Sequence, residues 1–235
     1  DCELVALPSL HACVIIFVES IAFSPRSSTR LGLRRSRCYN PAIPGNPTSS
    51  IFPLRCRMTD PKDQALDFLS RLGSNPATAF WEDGVAATVK AILTEIGLGY
   101  QQDDFGNIIA KVAGTDSTAN QLAIVAHMDH PGFEITASHP DGYIATAMGG
   151  VPPSSFEASV PVQVLLPDGT RISGTTAGKH GDDEDRQLMI KLDQPQALEP
   201  PVSVVFDLVD FELDGEHIRM RAVDDLAGCG SILAA

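Results

Sequence analysis

The 235-residue chain carries 17 Lys plus Arg against 30 Asp plus Glu, a formal net charge of -13, with 43% hydrophobic and 20% charged residues. That apolar content excludes a disordered chain, and five Cys over this length exclude a disulfide-stapled miniprotein. The acidic balance argues against a nucleic-acid partner, because neutralising phosphates requires a basic face.

The averages conceal a break near Met58. Residues 1–57 hold seven Arg, no Lys and three acids (Asp1, Glu3, Glu19), a balance of +4, whereas residues 58–235 hold 10 basic and 27 acidic residues, a balance of -17. Four of the five Cys (Cys2, Cys13, Cys38, Cys56) also lie in the first part, with no CxxC pair that would suggest zinc. The apolar run Ala12–Phe23 is interrupted by Glu19 and has no basic residue before it, so it makes a poor secretory signal. It is also too short for a membrane span, which needs about 20 apolar residues. The Arg- and Ser-rich stretch Ser24–Arg57 fits an organellar transit segment better. The plainest reading of 1–57 is in-frame upstream sequence ahead of a start at Met58, a non-domain extension left out of the fold. The location then expected is cytoplasmic, or organellar if 1–57 is a true transit peptide.

After Met58, Thr59 and Asp60 offer an N-cap and Pro61 a first turn. Ala65, Leu66, Phe68, Leu69 and Leu72 follow at helical spacing, and Gly73 ends the run. A second helix is predicted over Ala79–Ile96, with Trp81, Val85, Val89, Ile92, Leu93 and Ile96 on its core side and Gly97 and Gly99 closing it. The turn Asp104-Phe105-Gly106-Asn107 leads into a strand, Ile108–Val112. The loop Ala113–Asn120 leads into another, Gln121–Ala126. From about Ala137 to Glu216 the texture changes to short strands, Tyr143–Ala147, Val160–Leu166, Arg171–Thr175, Leu188–Leu192 and Val202–Val209. The turn pairs Asp141-Gly142, Asp168-Gly169 and Asp214-Gly215 punctuate them. This reads as an inserted all-β barrel, in which Asp182–Asp185 form a solvated loop and His139, His180 and His217 have structural or solvent-facing roles. A helical pattern returns from Asp225. The predicted class is α/β: a catalytic layer of residues 58–136 and 219–235 with a β-barrel, 137–218, inserted in it.

Two segments carry chemistry. Ala126-His127-Met128-Asp129-His130-Pro131 follows a strand, where residues two apart face the same way, so His127 and Asp129 can act together: an imidazole as metal ligand and a carboxylate orienting its ring. Alone, the triplet fits a satisfied structural histidine better than a ligand. Arg221-Ala222-Val223-Asp224-Asp225-Leu226-Ala227-Gly228-Cys229 places two acids at the start of an apolar helix. They suit either an ordinary acidic helix start or a carboxylate bridging two metal ions.

The ordered set is the Asp104–Asn107 turn, the His-x-Asp, a β insertion with Gly149-Gly150, and the Asp-Asp-x-x-Gly-Cys run. With this set, residues 58–235 resemble the co-catalytic dinuclear metallo-aminopeptidases of the glutamyl and tetrahedral (TET) aminopeptidase family, whose fold is zinc-exopeptidase-like α/β/α. The resemblance implies that His127 ligates one metal, Asp224 bridges both, Asp129 orients His127 and Asp225 supports the helix start. Where the family continues with Glu and a small aliphatic residue, this chain has His130-Pro131, a departure beside the metal. Cys229 is expected to be a packing residue.

Two divalent ions, zinc or cobalt with manganese as a further choice, would polarise the scissile carbonyl of a peptide and activate water. A glutamate base would move the proton. The family's Glu-Glu pair, further acid and second His lie downstream of Asp-Asp, so no base Glu is assigned in this chain. It reads as the N-terminal part of an enzyme, expected to be inactive by itself and to leave apolar surface exposed. The intact protein would form homo-oligomers through its barrel. The competing readings are a non-catalytic oligomerisation or peptide-binding protein, and a related metal-dependent amidohydrolase or deacylase.

Overall fold

The computed structural model of the protein describes residues 13–19, 60–114 and 122–235. The expected transit stretch, Cys2, Cys38, Cys56 and most of the 113–120 loop lie outside the described residues.

In chain order the described elements begin with β1 (Cys13–Glu19), α1 (Pro61–Gly73), α2 (Asp83–Glu95), β2 (Tyr100–Gln102), β3 (Ile108–Ala113) and β4 (Leu122–His127). Then come β5 (Gly132–His139), β6 (Gly142–Met148), β7 (Ala158–Leu165), β8 (Arg171–His180), β9 (Gln187–Leu192) and β10 (Val202–Phe206). A hairpin, β11 (Glu212–Asp214) with β12 (His217–Arg219), precedes α3 (Val223–Ala234).

α1 begins as its sequence dictates: the Asp60 carboxylate accepts the Lys62 N–H at 2.9 Å and Pro61 occupies the first turn. It buries Phe68, Leu69 and Leu72. α2 starts four residues later than the predicted Ala79. Phe80 has a left-handed φ of 69° and the Trp81 N–H closes a turn on Thr78 O, so this stretch cannot be helical. Its polar groups join the barrel instead. Trp81 Nε1 donates to Glu134 Oε2 at 3.0 Å, and the Thr78 and Ser203 hydroxyls are 2.8 Å apart.

The layer sheet has the order β2-β3-β1-β4, with β1 parallel to β3 and antiparallel to β4. Cys13–Glu19, which the charge break places in a non-domain extension, is therefore a strand at the centre of the sheet. A continuous apolar run is what a strand buried on both faces requires: Cys13, Val14, Ile15 and Ile16 are all buried. Composition marked the segment as foreign to the rest, but burial depends on apolar pattern and not on net charge. The Asp-Gly-Asn turn secures it. Asp103, one residue before the expected Asp104, accepts the N–H groups of Phe105 (3.0 Å) and Asn107 (2.8 Å). The Asn107 side chain then accepts the Cys13 N–H at 2.9 Å.

Strands β10-β5-β6-β9-β8-β7 close into an antiparallel barrel. It starts at Gly132, earlier than the predicted 137, and its last strand ends at Phe206, with β11 and β12 forming a separate two-stranded sheet. Alternate residues fill it: Phe133 and Ile135, Ala145 and Ala147, Val162 and Val164, Leu188 and Ile190, Val202 and Val204. Large meets small across the β5–β6 pair, Phe133 opposite Ala147 and Ile135 opposite Ala145. Phe133 packs edge-on to Phe206 with centroids 5.3 Å apart.

A second core holds Val14, Ile16, Leu72, Val89, Ile92, Ile108, Met128, Leu226 and Leu233 between sheet and helices. As expected from the sequence, apolar surface stays uncovered on edge strand β4: Leu122, Ile124 and Val125 are exposed. No helix among the described residues is long and apolar enough to cross a membrane.

Val14 is fully buried in β1, so Val14→Asp places an unpaired charge in the core. The expected loss is about 3–5 kcal/mol in urea unfolding; an unchanged midpoint would put residues 13–19 outside the sheet.

Candidate metal centre

His127 is the last residue of β4, and Asp224 lies at the start of α3, on the far side of the barrel in sequence. The fold brings them together: His127 Nε2 is 3.2 Å from Asp224 Oδ1. On the other side of the ring, His127 Nδ1 is 3.0 Å from the Asp129 backbone O and 3.3 Å from its Oδ1. A proton on Nδ1 is thus held by Asp129, which turns the Nε2 lone pair toward Asp224. Asp129 is buried, whereas the Asp224 side chain is 95% exposed, so the pair opens to solvent on the Asp224 side.

Two lone-pair donors facing one another need a proton or a cation between them. Zinc–ligand bonds of about 2.0–2.2 Å at a tetrahedral angle separate two ligands by about 3.3 Å. The observed 3.2 Å fits one ion held by both. Among the described residues no group of three His, Cys, Asp or Glu side chains is placed to hold a metal.

Neither Asp224 nor Asp225 has helical dihedrals, so regular helix begins after them. Asp224 consequently points away from the helix toward His127, while the Asp225 carboxylate folds back over Gly228. A Cβ at Gly228 would overlap it, which is the close packing that this glycine permits. Beneath the site lie two buried thiols. Cys13 is the cross-strand partner of His127, and Cys229 Sγ is 3.3 Å from His127 O. Burial first, then the Asp225 charge, pushes the Cys229 thiol up to about 12, so it stays protonated and packs as expected. Burial, followed by the charges of Asp129, Glu82, Asp225 and Asp103, raises Cys13 as well.

His130 is not a metal ligand. Its Nε2 accepts the Ala77 N–H at 3.1 Å and its Nδ1 is 3.1 Å from Pro131 O, so both ring nitrogens serve the backbone. Its backbone N–H returns to Ala77 O at 2.9 Å. The departure from Glu at this position builds a staple to the 77–81 segment. In the barrel, the rings of His139 and His180 meet edge-on at 5.8 Å, and His217 lies in exposed β12. The sequence reading missed Cys13, whose segment it set aside, and Arg221, which only its contacts distinguish.

The α/β layer and the closed barrel inserted in it bring His127, Asp129 and Asp224 together at their junction. Residues 106–194 match the family model of the M42 glutamyl aminopeptidases. An aminopeptidase from the archaeon Desulfurococcus kamchatkensis shares the fold with a TM-score of 0.58 at 22% identity, over 74% of this chain and 52% of that one. The Pyrococcus horikoshii TET1 peptidase, described as able to assemble into a tetrahedron or a large octahedral shell, matches with a TM-score of 0.54 at 20% identity, over 72% and 54%. A TET aminopeptidase from a marine sediment archaeon of the Thaumarchaeota matches at 0.52 and 15% identity, over 66% and 47%. The chain spans about half the length of these neighbours. The resemblance to glutamyl and TET aminopeptidases carried by the ordered motifs is borne out.

Burial holds the His130 imidazole below its ordinary value, with the Arg221 charge acting in the same direction. The unfolded chain takes up this proton near pH 6.5 and the folded chain resists it. This stabilisation is therefore complete above about pH 6.5 and is lost as pH falls below it. Wild type is expected to lose more stability between pH 7.5 and 5.5 in urea titrations than His130→Gln does; equal losses in both proteins would remove His130 as the cause.

Proposed function

We propose that the chain is part of a metal-dependent aminopeptidase that hydrolyses N-terminal residues of peptides, with zinc or cobalt as the metal and manganese a further choice. The observation that supports this best is the 3.2 Å approach of His127 Nε2 to Asp224 Oδ1 across the barrel junction. His127 and Asp224 would hold the metal, with Asp224 in the bridging position. Once bound, the ions supply a polarised carbonyl and a water acidified toward neutral pH.

The chain's own residues prepare that site. Asp129 keeps the His127 proton on Nδ1 so that Nε2 stays free to ligate. Met128, Cys13 and Cys229, all buried, close the layer beneath His127 to water. Asp225, turned back on Gly228, leaves the open side to Asp224. The glutamate base is not assigned to any of the 235 residues. We read the intact protein as a cytoplasmic homo-oligomer assembled through its barrel; the assemblies described for the TET1 peptidase support the oligomer alone.

Calorimetric titration with zinc tests the site. The 235-residue chain is expected to bind zinc, Asp129→Asn to bind it about 10–100-fold more weakly, and His127→Ala not to bind it measurably. Added amino-acyl anilides are expected to remain intact. Equal zinc affinity in wild type and His127→Ala would overturn the assignment.

A further inference from the structure

Asp210 lies between the barrel and the hairpin, and its carboxylate is shared by two arginines. Arg171 of β8 approaches both oxygens through Nη1, at 3.0 and 2.8 Å, and its Nη2 donates to Ser74 O at the end of α1 at 2.8 Å. Arg221 donates to Asp210 Oδ1 through Nη1 at 2.5 Å. The Arg221 side chain is only 2% exposed. Its remaining donors go to the segment leaving the barrel, Nε to Phe206 O at 3.1 Å and Nη2 to Leu208 O at 2.6 Å. Its backbone N–H donates to Val209 O at 2.8 Å. Backbone packing holds Asp210 in turn: a Cβ on Gly73 would come within 2.6 Å of Asp210 O.

Arg221 stands three residues before Asp224, whose side chain is 95% exposed. Ala222, next in the chain, is buried in the layer core, and Arg221 is the side chain just upstream that hydrogen-bonds the segment leaving the barrel. A buried guanidinium needs a carboxylate partner to stay in place, and Asp210 supplies it while also gripping the barrel through Arg171.

We propose that Asp210 is a positioning residue for the metal centre: through Arg221 it sets where Asp224 sits relative to His127. This rests on the metal-site reading above. Asp210→Asn keeps the shape and removes the charge. Arg171→Met cuts only the barrel arm and leaves the Asp210–Arg221 pair.

Amide hydrogen exchange on the metal-free 235-residue chain and its zinc affinity are measured together. In Asp210→Asn, exchange at the Arg221 and Leu226 amides is expected to quicken about tenfold while Ile108 in β3 is unchanged, and zinc is expected to bind about tenfold more weakly. Arg171→Met is expected to bind zinc within about twofold of wild type. Unchanged exchange in Asp210→Asn, or unchanged zinc affinity there while wild type binds, overturns the inference and leaves the metal site standing. Equal losses in Arg171→Met and Asp210→Asn also overturn it, since they point to general stability. A wild-type chain that does not bind zinc defeats the functional reading itself, and the positioning role with it.

Discussion

The structure depends on the return of the chain, after a closed barrel, to the end of the strand from which it left. His127 closes β4 before the barrel and Asp224 opens α3 after it, and 3.2 Å separates their facing atoms. A barrel is well suited to such an insertion, because closure satisfies its own edges and demands nothing of the layer that carries it. Its orientation is then set by polar contacts at the junction: Trp81 on Glu134, Thr78 on Ser203, His130 on Ala77, and the Arg171–Asp210–Arg221 bridge.

The acids that raise the Cys13 thiol after burial itself, namely Asp129, Glu82, Asp225 and Asp103, come from four different segments of the layer and converge on its floor. Both thiols there stay protonated and His130 is held neutral by burial. The remaining carboxylate, Asp224, faces solvent beside an imidazole whose other nitrogen is already engaged. Burial leaves the thiols as packing groups.

Much of this was legible along the chain. α1 carries its own start and stop in Asp60, Pro61 and Gly73, and the barrel strands show in period-2 alternation between turn pairs. His127, Asp129 and Asp224 were readable because their order around a β insertion is distinctive. The late start of α2 was not legible, because Thr78–Trp81 are drawn out of helix by partners on the barrel that lie far away in sequence. The same holds for His130, whose residue type suggests a ligand while its contacts make it a backbone staple.

The residue sequence by itself determined the local elements and the barrel, since each depends on periodicity, capping or residue chemistry within a short window. Only the tertiary structure decided that Cys13–Glu19 belongs at the centre of the sheet, which Asp anchors the approach to α3, and which histidine faces Asp224. Those outcomes depend on burial and on contacts between distant segments, and neither charge balance nor local pattern records which distant strand or carboxylate a residue will meet.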